Sequence, residues 1–406
     1  MNKYKIDGVD IDSVDLKCLL VSRGVKIEKS VYKIFSSKNR LNRSPLTCNC
    51  VILSDGTIAQ LTDMSFHLRY LTGVLSWDNL KLLRYASQLE TPFSLKIIDE
   101  KPALLYGDKF LDFVSFPAHS RFYKQKTSSG LSFAGNAVLQ GLDWAAFQCL
   151  WRCDYAADGQ PCQFCFSGGD FENAAKKGKA LPRAVPAADA AEIISYALKN
   201  ENVSHVQITG GSTYDGRAES EYIINYLNAV GALRPDVPGE VLLYITPPAD
   251  TALIDLYFEL GTSRVACSLE VWDIDRARSI TPGKINITGR EKYLRILEYT
   301  AEKYGRGKAF SNFIIGIEDF KTLSDGAERL AERGIMPAAS VWIPMGRPVM
   351  GSMNAPGVDY YRRVKELFAE LYVKHKLEPT ESRGLNVCIE RDIWNYAVNP
   401  RFLPML

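Results

Sequence analysis

The sequence predicts an α/β protein built on a parallel sheet and preceded by a smaller α+β domain. Two observations carry this reading. From about residue 136 onward, short β-branched apolar runs alternate with amphipathic helical stretches, whereas the first 135 residues show no such alternation. A strand–helix repeat of roughly 30 residues is the spacing of βα units, whose crossover helices return every strand in the same direction.

The elements follow in order. A first strand is expected in "AVLQGLDWAAFQ" (137–148). Further strands are expected in "HVQIT" (205–209), "EVLLYIT" (240–246), "RVACSLE" (264–270), "AFSNFIIG" (309–316) and "AASVWIP" (338–344). These runs are brief, apolar and bounded by turn residues, as buried parallel strands are. Helices are expected over 188–200, 219–233, 250–261, 290–305, 323–334 and 360–375, where apolar residues recur at three- and four-residue spacing. Three of them, ending at Gly261, Gly305 and Gly334, close on a glycine stop. Six such units fit either a doubly wound sheet or an open barrel. In both, ligands bind beyond the C-terminal ends of the strands.

Residues 1–135 contain strand-like pieces in "CVILSDGTIAQLT" (50–62) and "FSLKIIDEKPALLYGDKFLDFVSF" (93–116), and a helical piece, "SWDNLKLLRYASQLE" (76–90). This is read as an N-terminal α+β accessory domain, with "FPAHSRFYKQKTSSG" (116–130) as a domain-packing linker. Residues 136–355 form the sheet domain, and 356–406 a closing segment. In that segment "SRGLNVCIERDIWNY" (382–396) is expected to plug the open sheet.

Charge narrows the partners. The 406-residue chain carries a formal net charge of +2, spread along its length, so no nucleic-acid or anionic-membrane surface is expected. The N-terminus lacks the apolar core of a signal peptide. No run approaches the roughly 18 apolar residues of a membrane span. A cytoplasmic protein is expected.

In a reducing compartment a tight cysteine cluster points to metal or catalysis, not to disulfides. Four of the nine cysteines, Cys149, Cys153, Cys162 and Cys165, fall within "CLWRCDYAADGQPCQFCF" (149–166), on the loop after the first strand of the series. Two chemistries fit. Four thiolates in paired spacing could close a structural zinc site, giving a zinc-stabilised ligand-binding protein without redox chemistry. Cysteine thiolates are equally the usual ligands of iron–sulfur clusters. "CQFC", with Phe164 before the last cysteine, and the paired glycines of "ITGGST" (208–213) tilt the balance, since a zinc knuckle requires neither. Paired glycines let backbone approach a ligand closely. Cys18, Cys48, Cys50, Cys267 and Cys388 are scattered, and Cys267 reads as a small buried hydrophobe. His67, His119, His205 and His375 show no metal spacing and read as structural or surface groups.

This run of features resembles the radical S-adenosylmethionine (SAM) superfamily, and within it the biotin synthase-like members. That family places three cysteines in a loop after the first strand of a partial (β/α)6 TIM-like barrel. The resemblance implies a 4Fe-4S cluster held by Cys153, Cys162 and Cys165, with Phe164 near the SAM adenine. "GGST" (210–213) stands where the family carries a glycine-glycine-glutamate motif that contacts the SAM amino group, which implicates Gly210, Gly211 and Ser212. "SLEVWD" (268–273) offers Glu270 as a polar contact to SAM, Arg290 is the match for its carboxylate partner, and "FSNFIIGIED" (310–319) supplies Ile314. "IPMGRPVMG" (343–351) resembles the family's turn after the sixth strand, and its Arg347 could hold an anionic substrate group.

Two departures stand out. The family's usual cysteine spacing is three residues then two. Here it is eight then two from Cys153, or twelve then two from Cys149; Cys153 makes the smaller loop and is preferred. Ser212 replaces the glutamate of the glycine motif. Three protein ligands leave one iron open for SAM, so the resemblance implies reductive cleavage of SAM to a 5'-deoxyadenosyl radical that abstracts hydrogen from a small-molecule substrate. A reductant such as ferredoxin or flavodoxin is the implied protein partner.

Overall fold

The computed structural model describes residues 3–31, 50–61, 91–117, 121–134, 136–165, 178, 184–213, 216–231, 233, 236–343 and 353–398. The helix expected over 76–90 lies outside these residues, as do Cys48, His67, His119 and Arg347.

The chain opens with a hairpin of β1 (Lys3–Ile6) and β2 (Val9–Asp12), turning through Asp7 and Gly8, both at positive φ. Helix α1 (Ser13–Arg23) starts at a capping box in which Asp12 accepts from the amides of Val14 and Asp15 while the Asp15 side chain returns to the Asp12 amide. Every residue from Ser13 to Ser22 is buried. Strands β3 (Lys26–Ile27), β4 (Cys50–Ile52), β5 (Ile58–Gln60), β6 (Phe93–Ile98), β7 (Lys101–Tyr106) and β8 (Lys109–Phe113) follow. They form a β3-β6-β7-β8 sheet and a separate β4-β5 hairpin. Phe122 and Phe133, from the stretch between this region and the main sheet, pack edge-on against each other and bury against Tyr196.

The main sheet has one correction to the sequence reading. "AVLQGLDWAAFQ" is not a single strand. It is an antiparallel hairpin of β9 (Ala137–Gln140) and β10 (Trp144–Leu150). Gly141 makes the reversal at φ +58°, and a Cβ there would lie 1.9 Å from the Gly384 carbonyl. The apolar alternation runs unbroken through the turn, which hid it.

After β10 come α2 (Asp154–Ala157), α3 (Ala187–Asn200), β11 (His205–Gly210), α4 (Gly216–Gly231), β12 (Val241–Tyr244) and α5 (Thr251–Glu259). The series continues with β13 (Arg264–Ala266), α6 (Ile274–Ile280), a π-helical turn over Lys284–Thr288, α7 (Arg290–Tyr304), β14 (Ala309–Ile315), α8 (Phe320–Glu332) and β15 (Met336–Val341). Helices α9 (Val358–His375) and α10 (Glu390–Val398) end it.

Strands β10 to β15 are parallel and lie in strictly sequential order. A doubly wound sheet reverses its strand order at a switch point, and this sheet does not. Right-handed crossovers that all step the same way place their helices on one face, so the sheet curls with helices outside. The fold is a partial (β/α)6 TIM-like barrel.

The closing segment crosses the strand-start end, opposite the cysteine loop, and then runs along the later half of β15. Val341 donates to the Val387 carbonyl and Ile389 to the Ala339 carbonyl, both at 3.0 Å, extending the sheet past β15. Arg383 donates its amide to Asp143 Oδ2 at 2.8 Å, and Asn386 Oδ1 accepts from the Gly141 amide at 2.8 Å, reaching the hairpin on the far side. A small cavity under this strap is lined by Trp144, Arg264, Phe310 and Glu390. The fully buried Lys17 of α1 holds the strap in place: its ammonium donates to the carbonyls of Leu385 (2.5 Å) and Cys388 (2.9 Å) and to Asp392 (2.7 Å).

Candidate active site

The cysteine loop begins where β10 ends. Cys149 lies inside β10 and is 1% exposed, and burial pushes its thiol up. Cys153 is the residue before α2, and the chain then loops through Cys162 and Cys165. That loop is held by Gln163 donating to the Ile280 carbonyl (2.8 Å), by Gly283 donating to the Gln160 carbonyl (3.2 Å) and by Cys165 donating to the Cys162 carbonyl (3.1 Å).

Cys153, Cys162 and Cys165 are half-buried and close enough to influence one another. Burial raises the Cys153 and Cys162 thiols; Cys165 adds to both, and Cys153 adds to Cys162. Burial first, and then Glu219, raises the Cys149 thiol. Among the described residues no three His, Cys, Asp or Glu side chains converge on a single-ion site. The four-cysteine zinc reading is therefore not supported.

The glycine loop lies against the cysteine loop. Gly211 donates to the Leu150 carbonyl at 2.8 Å, and Asp154 donates to the Ser212 carbonyl at 2.8 Å. A Cβ on Gly211 would sit 2.2 Å from the Arg152 carbonyl oxygen, and one on Gly210 would sit 2.7 Å from the Leu150 nitrogen. Both glycines are thus required by the approach of two backbones, a demand real Cβ atoms cannot meet.

Glu270 follows β13 at φ +70°, a conformation that costs a non-glycine residue energy and gathers at functional sites. Its backbone bridges to β14: Glu270 donates to the Asn312 carbonyl (2.9 Å) and accepts from the Ile314 amide (3.1 Å). Its carboxylate accepts from Lys284 Nζ at 3.1 Å, and the same ammonium donates to the Ser268 carbonyl at 2.6 Å. Burial alone would lower Lys284, but Glu270 and Cys162 together raise it, so it stays charged beside the thiols. Sequence reasoning missed Lys284. It opens the π-helical segment directly after Pro282 and Gly283, outside any α-helical period, and that Pro-Gly pair was its one available signal.

Phe164 and Ile314 meet at an apolar cluster separate from the main core. With Ile285 they pack against Val271, Ala277, Ile280, Ile317 and Trp342, leaving a half-exposed apolar wall at the strand-end face. Arg290 opens α7, but its guanidinium lies over the Trp272 ring, 4.3 Å from the centroid, and donates to the Trp272 carbonyl. Glu318 accepts from the amides of Trp272 (2.7 Å) and Asp273 (2.6 Å) beside it. The structure thus gathers the three thiols, the 210–212 loop, Glu270, Phe164 and Ile314 at one end of the barrel, and sets Arg290 on the neighbouring Trp272–Glu318 pair. Of the remaining sequence candidates, Cys267 is fully buried, and His205 stacks on Trp144 and accepts from the Glu240 amide, both structural.

The sequential parallel half-barrel, the three-thiol loop after its first parallel strand and the doubled glycine packed on that loop are the arrangement that the sequence resemblance leads one to expect. No family model matches the chain. A curated relative, the bacteriochlorophyllide c C-7(1)-hydroxylase of Chlorobaculum limnaeum, is 28% identical over 266 residues, which cover 62% of this chain and 65% of that protein. The chain thus spans somewhat under two thirds of that relative's length. Similar solved structures include a radical SAM methyltransferase from Sphaerobacter thermophilus, with 14% identity, 74% of this chain and 80% of that chain covered and a TM-score of 0.40. Methylornithine synthase has 15% identity, covers 61% of this chain and 71% of its own, and has a TM-score of 0.39.

Proposed function

We propose that this chain is a radical SAM enzyme acting on a small-molecule substrate. The observation that carries the reading is the three-thiol loop bonded edge to edge with the diglycine loop at the ligand end of the barrel. Cys153, Cys162 and Cys165 would hold the 4Fe-4S cluster, with Cys149 kept out of reach inside β10. Gly210, Gly211 and Ser212 would face the SAM amino group, the Phe164–Ile314 wall would take the adenine, and Glu270 would hold a polar group of SAM. Arg290 remains the proposed partner of the SAM carboxylate, with Lys284 as a second cation nearer the thiols. When bound, the cluster and SAM supply a 5'-deoxyadenosyl radical able to abstract hydrogen from carbon.

The protein's own part is binding, orientation and exclusion of water. The half-exposed Tyr244, Asn312 and Ser340 stand on the inner face of the barrel below the site, with Asn312 donating to Ser340 Oγ at 3.0 Å. A substrate lying there would meet hydroxyl and amide groups suited to orienting a polar organic molecule. The named activity of the curated relative, oxidation at a carbon of a bacteriochlorophyllide, agrees with a C–H substrate. Electrons would come from a ferredoxin or flavodoxin in the cytoplasm. Among the described residues no helix is long and apolar enough to cross a membrane.

Anaerobic reconstitution with iron and sulfide tests the reading. A brown protein that forms 5'-deoxyadenosine from SAM in the presence of dithionite is expected. Stoichiometric zinc with no SAM cleavage would overturn it.

A further inference from the structure

We propose that Glu219 is a positioning residue for the SAM site, tying the glycine loop to the loop after the next strand. This rests on the reading of residues 210–213 as a SAM-binding loop. Glu219 is in the first turn of α4 and is 4% exposed. One carboxylate oxygen accepts from the Thr213 amide at 3.1 Å and the other from the Thr246 amide at 2.9 Å.

Thr213 follows β11 and Thr246 follows β12, so a single side chain joins two loops beyond neighbouring strands, where the ladder no longer does so. The connection continues one residue back: Ser212 accepts from Asp154, next to Cys153. Cysteine loop, glycine loop and third loop are therefore held in series. The Thr213 bond is local to the start of α4, but helix capping does not account for the Thr246 bond, because Thr246 belongs to a different strand–helix unit. Glu318 shows the local alternative: it also binds two amides, but both lie in one loop. The sequence has Ser212 at the third position of its glycine motif, and Glu219 brings a carboxylate to the same loop from behind.

Each of the two amides donates to a different oxygen of this buried carboxyl group, so losing either oxygen removes one of the two ties between the loops. Glu219→Gln keeps one acceptor oxygen and turns an amide N–H toward the other donor; Glu219→Ala removes both bonds. Reconstituted wild type and both variants are compared by iron content, thermal midpoint, calorimetric SAM affinity and the change that SAM causes in the electron paramagnetic resonance spectrum of the reduced cluster. The expectation is iron content equal to wild type, SAM binding about tenfold weaker in Glu219→Gln and weaker still in Glu219→Ala, and a diminished spectral change. If the variants bind SAM within twofold of wild type, or lose iron together with SAM, Glu219 is merely structural and the proposal falls. If Glu219→Ala does not fold, Glu219→Gln decides. Wild-type protein that holds a cluster yet binds no SAM would overturn the functional reading itself.

Discussion

The amide of Asp154 donates to the carbonyl of Ser212 at 2.8 Å, so the loop carrying Cys153 is bonded directly to the loop carrying Gly210 and Gly211. Motifs nearly 60 residues apart in sequence become one backbone surface. The contact is possible because neither glycine has a side chain.

Gly211→Ala should therefore separate the loops. Its Cβ would meet backbone oxygen at 2.2 Å, a clash that no side-chain rotation relieves. SAM affinity measured by calorimetry should fall more than tenfold. Gly231→Ala, whose Cβ would make an ordinary 3.5 Å contact, should leave it unchanged.

Cysteine replacement separates three ligands from four. Single Cys→Ala changes at 153, 162 and 165 should each abolish the iron–sulfur absorbance near 400 nm after reconstitution. Cys149→Ala, made inside β10, should keep the iron and cost about 1–2 kcal/mol of stability from the small cavity it opens. Iron analysis and denaturant melts of the four variants check both statements. Iron lost only from Cys149→Ala and retained in Cys153→Ala would reverse the assignment.

Burial pushes the carboxyl groups of Glu219 and Glu390 up to about 7, against an ordinary value of 4.5. Between these values the folded chain binds protons that the unfolded chain has released. Stability from this source is complete below about pH 4.5 and is lost as pH rises through 7, with a limiting slope of about 1.4 kcal/mol per pH unit for each group. Urea midpoints at pH 5, 6 and 7 should fall in that order. Glu219→Gln should make the decline shallower, and a midpoint that falls with pH as steeply in the variant as in wild type would contradict the assignment.

Lys17→Met should destabilise the fold by about 3–5 kcal/mol, since it leaves Asp392 without its cation and two strap carbonyls without their donor. The measurement is chemical denaturation. Because the strap closes the end of the barrel opposite the thiols, iron content of the folded fraction should stay at the wild-type level.

Much of the fold was legible because its signals are local. Apolar runs such as "HVQIT" and "AFSNFIIG", with helical periods between them, identify parallel strands wherever they fall. The hairpin at Gly141 escaped because the apolar alternation runs through it, and the contact that demands glycine there comes from Gly384, more than 240 residues away. Lys284 and Glu219 escaped for the same kind of reason. One acts on Glu270 across a turn, the other on two loops across a sheet, and neither occupies a position that a spacing rule can mark.

The sequence by itself determined the number and direction of the βα units, the thiols available on the first loop and the glycines able to lie against them, because periodicity and side-chain chemistry are properties of short stretches. Only the tertiary structure decided that the sheet curls in sequential order instead of winding doubly, that Cys149 belongs to a strand and Cys153 to the loop, and that Glu219 joins two loops. Those are distances between segments far apart in the chain, and packing sets them.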